Sequence, residues 1–311
     1  MMPSVVALGG GHGLYASLTA LRELPVQITA VVTVADDGGS SGRIRREIDV
    51  LPPGDLRMAL AALADGHDPD WTSVLQHRMG GHGALAGHPV GNLLLTGLFE
   101  LYRNDAVRAL DTVAALVGAA GRVLPMSPHP LDLIADVQSV DRDDPLRVRR
   151  IRGQSSIAAT PGRVSSIELV PPAPPACPEA VAAIRAADCV LLGPGSWFTS
   201  VIPHLLVPDL ADALVTTRAR VVTILNLEPQ AGETDGFSPE EHLRVLRTVR
   251  HDLCLDTVIA DSDAVTDPDG LRRYVESIGA QLSLTPVAEP GGTARHDPHR
   301  LSRAIAHAAG L

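Results

Sequence analysis

The first 40 residues constrain the fold most, because they alternate apolar and glycine-rich segments in a recognisable order. The apolar run VVALG at 5–9 ends in glycine, and apolar residues then recur at helical spacing in LYASLTALREL at 14–24. The β-branched run ITAVVTV at 28–34 is typical of a strand buried on both faces. This order of strand, glycine loop, helix and strand predicts a parallel βαβ unit with a right-handed crossover.

A helical middle follows, shorter β-like segments run from 121 to 170, and the alternation of strands and helices then resumes. Later strands are predicted within 189–196, 220–227, 256–262 and 282–287, and helices at 56–64, 71–79, 90–102, 106–118, 238–249, 270–279 and 298–310, with another helix starting at 197. The pattern predicts an α/β, Rossmann-like doubly wound fold: a mostly parallel sheet, helices on both faces and a small inserted β-rich lobe. We expect one domain over 1–311, with the lobe at about 121–170.

Composition narrows the classes of function. The net charge of −10 argues against nucleic acid as a partner, since phosphate backbones require a basic face. No apolar segment reaches the length of a membrane span, and the N-terminus lacks a signal-peptide pattern, so we expect a cytoplasmic protein. Cys177, Cys189 and Cys254 show no metal-ligand spacing and are expected to be buried in a reducing compartment.

The loop LGGGHGL at 8–14 joins the first strand to the first helix. Its glycines let a ligand lie against bare backbone, and a helix N-terminus favours an anion, although a tight turn alone would explain the pattern. The spacing fails the dinucleotide fingerprint because Leu14 stands at the third glycine position, and the lysine of a P-loop is missing. His12 either faces the ligand or is structural. The candidate binding residues are Gly9, Gly10, Gly11, His12, Gly13 and Leu14.

The stretch DDGGSSG at 36–42 directly follows the second predicted strand. Asp36 could accept hydrogen bonds from ribose hydroxyls, or Asp36 and Asp37 could hold a divalent cation such as Mg²⁺ beside a diphosphate. Ser40 and Ser41 could donate to phosphate oxygens, with Gly38 allowing close approach. The alternative is an ordinary helix-capping loop.

Two further motifs place polar residues at helix starts. In LPPGDLRMALAAL, Asp55 lies where an N-cap is expected, and Arg57 in the first turn opposes the helix dipole. Arg57 therefore contacts a phosphate or an acidic loop, or forms a surface salt bridge. In GHPVGNLLL, Asn92 near His88 requires a hydrogen-bonding partner and either reads a base or sugar or caps its own backbone.

A second glycine loop, LLGPGSWFTS at 191–200, repeats the arrangement of strand, glycines and helix. Gly193, Gly195 and Ser196 would form a second anion-binding nest. Two such loops on one sheet suit a ligand with two polar or charged ends, such as a nucleotide sugar. The loop at 227–237 either covers the site or is a plain connector, and Arg295 either reaches a diphosphate or lies in a solvated turn.

These motifs occur together in one known family. The chain resembles, over essentially its whole length, the YvcK-type gluconeogenesis factors, and most closely their actinobacterial branch, in which His follows the three glycines. That family is similar in fold to the CofD-like 2-phospho-L-lactate transferases. The resemblance is carried by GGGHGL, TVADDGGSSGRIR, LPPGDLRMALAAL, GHPVGNLLL, LLGPGSWFTSVIPHLL, GETDGFSPEEHL and RHDP.

The resemblance implies a cytoplasmic protein that binds a uridine-diphosphate sugar, notably UDP-N-acetylglucosamine. It also implies a role in cell shape and cell-wall synthesis during gluconeogenic growth, with a cell-wall synthesis protein as partner and no established reaction. A homodimer is common among such folds. By this resemblance the ligand would contact residues 10–14, the loop 36–41, residues 193–196 and Arg295.

Two classes of function follow. The first is a binding protein that senses a UDP-sugar, because paired glycine loops come without a complete catalytic set. The second is a metal-dependent transferase acting on a phosphorylated substrate, in which Asp36 or Asp37 would be catalytic. The cousins with that activity bind a deazaflavin, and the chain has few aromatic residues to stack on one: three Phe, three Tyr and two Trp. A dinucleotide-dependent oxidoreductase is disfavoured by the glycine spacing.

Overall fold

The computed structural model describes residues 2–64, 70–138, 147–230, 233–291 and 294–311. The strands are β1 (Ser4–Gly9), β2 (Gln27–Val32), β3 (Gly121–Pro125), β4 (Asp132–Gln138), β5 (Arg149–Arg152), β6 (Arg163–Val170), β7 (Cys189–Leu192), β8 (Arg220–Ile224), β9 (Thr257–Ala260) and β10 (Gln281–Leu284). The helices are α1 (Gly11–Leu21), α2 (Gly39–Glu47), α3 (Pro53–Leu63), α4 (Trp71–Gln76), α5 (Val90–Leu101), α6 (Ala106–Leu116), α7 (Gln154–Ala159), α8 (Pro178–Ala186), α9 (Pro208–Thr216), α10 (Pro239–Val249), α11 (Pro268–Ser277) and α12 (Pro298–Ala309).

The main sheet confirms the predicted Rossmann-like class. Within the described residues its strands are all parallel, in the order β10-β9-β8-β7-β1-β2-β3. The order runs in opposite directions from β1 and from β7, and right-handed crossovers then place the two sets of helices on opposite faces. On one face α1 packs against α3 and α12, and on the other α8 packs against α9. The switch point between β1 and β7 is where such folds bind ligands.

The inserted lobe is smaller than predicted. Its antiparallel sheet has the order β5-β4-β6, with α7 between β5 and β6, and is built from 132–138, 149–152 and 163–170. Residues 121–125, assigned to the lobe from sequence, instead form β3 at the edge of the main sheet, parallel to β2. The reason is burial: Val123, Leu124 and Pro125 are covered, which the main sheet provides and a small exposed lobe does not.

Several helix boundaries differ from the predictions. Helix α1 begins at Gly11 rather than at residue 14, because Gly10 is its N-cap and the Leu14 N–H donates to the Gly10 carbonyl at 3.2 Å. Helix α2 was not predicted, and it begins inside DDGGSSG. Helix α8 was also not predicted, and it begins at Pro178, a residue type that is common at the first helical position. The N-cap of α3 is Pro52, which places Asp55 inside the first turn.

The segment after β7 is helical but irregular. A π-helical turn at Trp197–Val201 precedes a 3₁₀ turn at Ile202–Leu206, where Pro203 lacks an N–H donor. Helix α10 begins with a capping box, in which the Ser238 side chain accepts from the Glu241 N–H and the Glu241 side chain accepts from the Ser238 N–H.

The cysteine prediction is correct for Cys177 and Cys189 but wrong for Cys254, which is exposed. Successive side chains point in opposite directions in the turn before β9, so Leu253 and Leu255 point into the core and Cys254 points away. In the described part of the chain, no single helix is long and apolar enough to cross a membrane; only the bent pair Trp197–Leu206 and Pro208–Thr216 reaches that length and composition together.

Candidate functional site

The two glycine loops meet at the switch point of the main sheet. A Cβ built on Gly13 would lie 2.5 Å from the Cα of Gly195 and would overlap the Pro194 carbonyl. The Ser17 hydroxyl donates to the Gly193 carbonyl at 3.1 Å, which joins α1 to the second loop. The loops therefore form one continuous rim of backbone, and the glycines allow this close approach.

Asn226, directly beyond β8, holds the second loop in place. Its Oδ1 accepts from the Gly195 N–H and its Nδ2 donates to the Gly195 carbonyl, both at 2.8 Å. Gly195 has a φ of +138°, a conformation that side-chain-bearing residues rarely adopt. Asn226 was not among the sequence candidates. The sequence signal for it was an amide side chain in the mostly apolar run at 220–227.

A cavity of about 650 Å³ opens beside this rim. It unites four predicted site residues: His12, Gly13, Gly195 and Arg295. Its walls also include Tyr15, Thr19, Asn226, Leu227, Glu228, Gln230, Glu289, His296 and Pro298. The volume is in the range of small-molecule sites, and the place is the one that the fold favours for ligands.

Polar groups in the cavity wall differ in charge and in hydrogen-bonding state. Arg295 provides a permanent cation. Burial lowers the pKa of His296 to about 4, so its imidazole is neutral near pH 7. The buried Nε2 of His296 and the buried Oε1 of Gln230 have no hydrogen-bond partner among the described residues. A ligand that brings N–H or O–H donors would satisfy such atoms.

The hydroxyl of Ser196 is already engaged by the chain itself. It donates to the carboxylate of Glu233 at 2.5–2.6 Å, and the Thr199 hydroxyl donates to the same carboxylate at 2.9 Å. Glu233 is only 2% exposed, and burial raises its pKa although the two hydroxyls and the Phe198 N–H oppose the shift. The predicted nest at residues 193–196 thus holds an internal carboxylate at its Ser196 end.

Glu233 belongs to the GETDGF motif, and it anchors one wall of the cavity. The loop carrying it begins with Leu227, Glu228 and Gln230, which line the cavity. Sequence analysis placed this loop near the site but did not single out Glu233, because the pairing with Ser196 spans 37 residues.

Replacing Glu233 by alanine should lower the free energy of unfolding by about 1–3 kcal/mol, since two hydroxyls and an N–H lose their acceptor. The Glu233→Gln variant keeps one acceptor oxygen and should recover at least half of the loss. Urea denaturation of both variants measures the difference, with Glu276→Ala on an exposed face of α11 as the control. Equal stability of the Glu233→Ala and Glu276→Ala variants would contradict the anchoring role.

A second polar cluster lies behind the first glycine loop, at the N-terminus of α3. The Asp55 carboxylate accepts from the Gly11 N–H, and a Cβ built on Gly54 would lie 2.5 Å from Asp36 Oδ2 and 2.6 Å from Ser41 Oγ. Burial and, to a smaller extent, the nearby Asp36 charge together raise the pKa of Asp55 to about 7. The structure therefore pairs Asp36 with Asp55, a residue that sequence analysis took for a helix cap.

The pKa of Asp36 is also raised, for a similar reason. Burial raises its pKa most, and hydrogen bonds from Ser41 and from the Gly38 N–H, the latter at 2.8 Å, act in the opposite direction. Its carboxylate is therefore held by its own loop.

The Asp37 side chain points to the inserted lobe and has a structural role there, which corrects the predicted cation pair of Asp36 and Asp37. Its Oδ1 accepts from the Ser155 N–H at 2.8 Å, and its Oδ2 lies against Gly153. Asp37 thus caps α7, whose first N–H groups have no partner within the helix. The two neighbouring carboxylates therefore contact different elements, and the Asp37 charge also raises the pKa of Asp36.

Ser40 and Asn92 face each other inside the protein. The Asn92 Nδ2 donates to the Ser40 Oγ at 2.9 Å, and the Ser40 Oγ lies 2.7 Å from the His88 Nδ1. The buried Asn92 Oδ1 has no partner among the residues that the model describes. These groups, like Ser41, whose Oγ accepts from the Gly54 N–H at 3.0 Å, lie outside the wall of the large cavity.

Arg57 is likewise remote from the cavity wall. It is 5% exposed, packs against Gly91 and donates to the Gln76 Oε1. Burial lowers the pKa of Arg57 to about 10, while the charges of Asp55 and Asp36 favour its ionised form. Of the predicted roles, the acidic loop partner fits this position better than a surface salt bridge.

The remaining glycine-loop residues contribute backbone only. Leu14 is buried with its side chain against Gly9, and the Gly9 carbonyl accepts from the Thr33 N–H at 3.0 Å. Gly10 lies against Thr33 and Asp55, so the first loop separates the cavity from the carboxylate cluster.

Known proteins resemble this chain over its length. Residues 5–291 match the family model described as 2-phospho-L-lactate transferase CofD. A protein of Mycobacterium tuberculosis that carries the gluconeogenesis factor name is 54% identical over 98% of this chain and 90% of its own. A gluconeogenesis factor of Halalkalibacterium halodurans is 38% identical over 85% and 79%. A crystal structure of a UPF0052 family member from Bacillus halodurans superposes with a TM-score of 0.87 at 32% identity, covering 98% of this chain and 99% of that one.

Proposed function

The chain belongs to the CofD family and to its gluconeogenesis factors, and on that premise we propose that it binds a uridine-diphosphate sugar, with UDP-N-acetylglucosamine as the expected ligand. The observation that carries the proposal is the meeting of two glycine loops beside a cavity of about 650 Å³. Bare main-chain N–H groups at a helix N-terminus are a general device for binding phosphate groups.

The geometry supports a particular arrangement of the ligand. The diphosphate would lie at the N-terminus of α1 on the N–H groups of His12 and Gly13, since the Gly11 N–H already bonds to Asp55, with Arg295 as its counter-charge. Because Glu233 fills the Ser196 end of the second loop and Asn226 engages the N–H and the carbonyl of Gly195, this loop would contact the ligand as a wall and not as a hydrogen-bond donor. The neutral His296 and Gln230 would accept hydrogen bonds from hydroxyl or amide groups of the nucleoside or the sugar.

The name shared by the relatives supports a role in gluconeogenic growth. We place the protein in the cytoplasm, where a UDP-sugar would report the supply of cell-wall precursors. In this proposal its output passes to a protein of cell-wall synthesis and thereby supports cell shape.

A metal-dependent transfer reaction on a phosphorylated substrate is the second candidate function, and the Asp36–Asp55 pair favours it. Two buried carboxylates, of which Asp36 raises the pKa of Asp55, fit a divalent cation such as Mg²⁺, since its charge would relieve their repulsion. When bound, the ion would supply charge stabilisation for a transferring phosphoryl group. Asp36 and Asp55 would hold it, and the amides of His12 and Gly13 would orient the phosphate.

Isothermal titration with UDP-N-acetylglucosamine tests the binding proposal. We expect Arg295→Ala to weaken binding at least about tenfold, because a charge-assisted contact to the diphosphate is lost. Arg272→Ala, on an exposed face of α11, is the matched control and should bind as the unaltered protein does. Absence of heat and of a thermal shift with millimolar UDP-N-acetylglucosamine would reject the proposal.

The two candidate functions separate on a second pair of variants. Asp36→Asn and Asp55→Asn should leave UDP-sugar affinity within about threefold if the protein is a binder. A transferase would instead lose turnover on a phosphorylated substrate while keeping its affinity.

A further inference from the structure

A second groove lies at the outer edge of the main sheet, and none of its lining residues belongs to the glycine loops. It has a volume of about 440 Å³ and runs between β10 and α12. One wall carries the hydroxyls of Ser283 and Thr285, and the other carries Arg300, Arg303 and His307.

The β10 wall is an unpaired strand edge. In the described part of the chain, β10 ends the sheet order and pairs only with β9. The Gln281 N–H donates to the Asp256 carbonyl at 2.9 Å, and the Thr285 N–H donates to the Ala260 carbonyl at 3.1 Å. The main-chain groups of Leu282 and Leu284 therefore point the other way, towards the free edge. Such an edge is a template on which another strand can form hydrogen bonds.

The α12 wall concentrates positive charge. Arg300, Arg303 and His307 are spaced three and four residues apart and so share one face of the helix. No ion pair joins any of the three to a carboxylate within the described residues. The Arg300 guanidinium donates to the Ala288 carbonyl at 3.0 Å, which orients it without neutralising it. The whole chain has a net charge of −10, so its composition does not explain a basic face on this helix.

We propose that this groove docks an extended, acidic peptide segment of a partner protein, which adds to β10 as a new outer strand. Its main chain would pair with Leu282 and Leu284, and the carboxylates on one face would meet the basic side chains of α12. The dimensions agree, since residues 300 to 307 rise about 10 Å along a helix. Carboxylates two residues apart on a strand are separated by about 7 Å, so two or three of them span that length.

Charge and edge together favour this occupant over others. A free phosphate would satisfy the arginines but leave the strand edge unpaired. A nucleic acid would face a protein of net charge −10 outside the groove. The proposal goes beyond UDP-sugar binding and does not depend on it, because the groove shares no wall residue with the large cavity.

Fluorescence anisotropy with labelled octapeptides tests the proposal on the full chain. The probe alternates glutamate and threonine, and two further probes are the same peptide N-methylated at alternate residues in each of the two frames. We expect the first probe to bind and one N-methylated frame to bind at least about tenfold more weakly, because it cannot pair with the edge. The double variant Arg300→Ala/Arg303→Ala should weaken the first probe by a similar factor.

Matched controls keep the result interpretable. Arg272→Ala/Arg273→Ala removes two exposed arginines from α11 and should not change binding of the probe. Thermal unfolding of both double variants confirms that they fold. The proposal is overturned if both N-methylated frames bind like the parent peptide, if the Arg300 and Arg303 changes have no effect, or if the probe shows no binding at millimolar concentration. Tighter binding of inorganic phosphate or of a single-stranded oligonucleotide would also overturn it.

Discussion

Alanine at position 13 should disrupt the rim on which the proposed ligand lies. The added Cβ would stand 2.5 Å from the Gly195 Cα and overlap the Pro194 carbonyl, so the two loops must move apart. Forced overpacking of backbone costs about 1–3 kcal/mol of stability. Because the displaced amides are those expected to hold the diphosphate, we expect UDP-N-acetylglucosamine affinity to fall by more than about tenfold.

Gly97 provides the control for this substitution. It lies in α5, and a Cβ there meets nothing within 4 Å. Gly97→Ala should therefore raise the free energy of unfolding by about 0.5–1 kcal/mol, as expected for glycine replaced within a helix, and leave affinity unchanged. Titration calorimetry and urea denaturation of both variants separate the effects. Unchanged affinity and stability in Gly13→Ala would contradict the close contact of the loops.

The alternation of strands and helices along the sequence predicted the main sheet, because each parallel strand is a short apolar run followed by a turn and a helix. That signal is local, and it identified β1, α1 and β2 to within a few residues. It failed for β3, where the same kind of apolar segment had no local mark of the sheet to which it belongs. It also missed α2, whose glycines and serines favour loops by intrinsic propensity but are held here by packing against α3 and α5.

In the candidate site, too, the sequence predicted the local features and missed the long-range ones. Backbone features, such as the glycines of residues 9–13, could be predicted because their conformational role is intrinsic. Side-chain pairings could not, since Asn226 reaches Gly195 across 31 residues and Glu233 reaches Ser196 across 37. In DDGGSSG the residue types pointed to a carboxylate site, but only the fold shows that the partner of Asp36 is Asp55.

Neutralising Asp55 should change the dependence of stability on pH. Its folded-state pKa of about 7 lies above the ordinary value of 3.8, chiefly because of burial. Between these values the folded protein retains a proton that the unfolded chain releases, so stability falls as pH rises. The contribution is favourable below about pH 4 and is lost progressively up to about pH 7. The full cost is at most about 4 kcal/mol for three pKa units.

The Asp55→Asn variant removes this penalty while keeping an oxygen that can accept from the Gly11 N–H. We therefore expect its advantage in unfolding free energy over the unaltered protein to grow from near zero at pH 4 to about 2–4 kcal/mol at pH 8. Urea denaturation at five pH values measures this difference, and taking the difference cancels groups with opposite shifts, such as Asp261.

The Asp36→Asn variant provides an internal check on the same pair. Removing the Asp36 charge lowers the pKa of Asp55, so the fall in stability should end at a lower pH than in the unaltered protein. If the pair holds a divalent cation, added Mg²⁺ should stabilise the unaltered protein at pH 8 and leave Asp55→Asn unchanged. The contrary result is a difference in unfolding free energy, between the Asp55→Asn variant and the unaltered protein, that stays constant from pH 4 to pH 8. It would show that Asp55 titrates normally. It would also remove the physical basis for a metal-dependent reaction at this cluster.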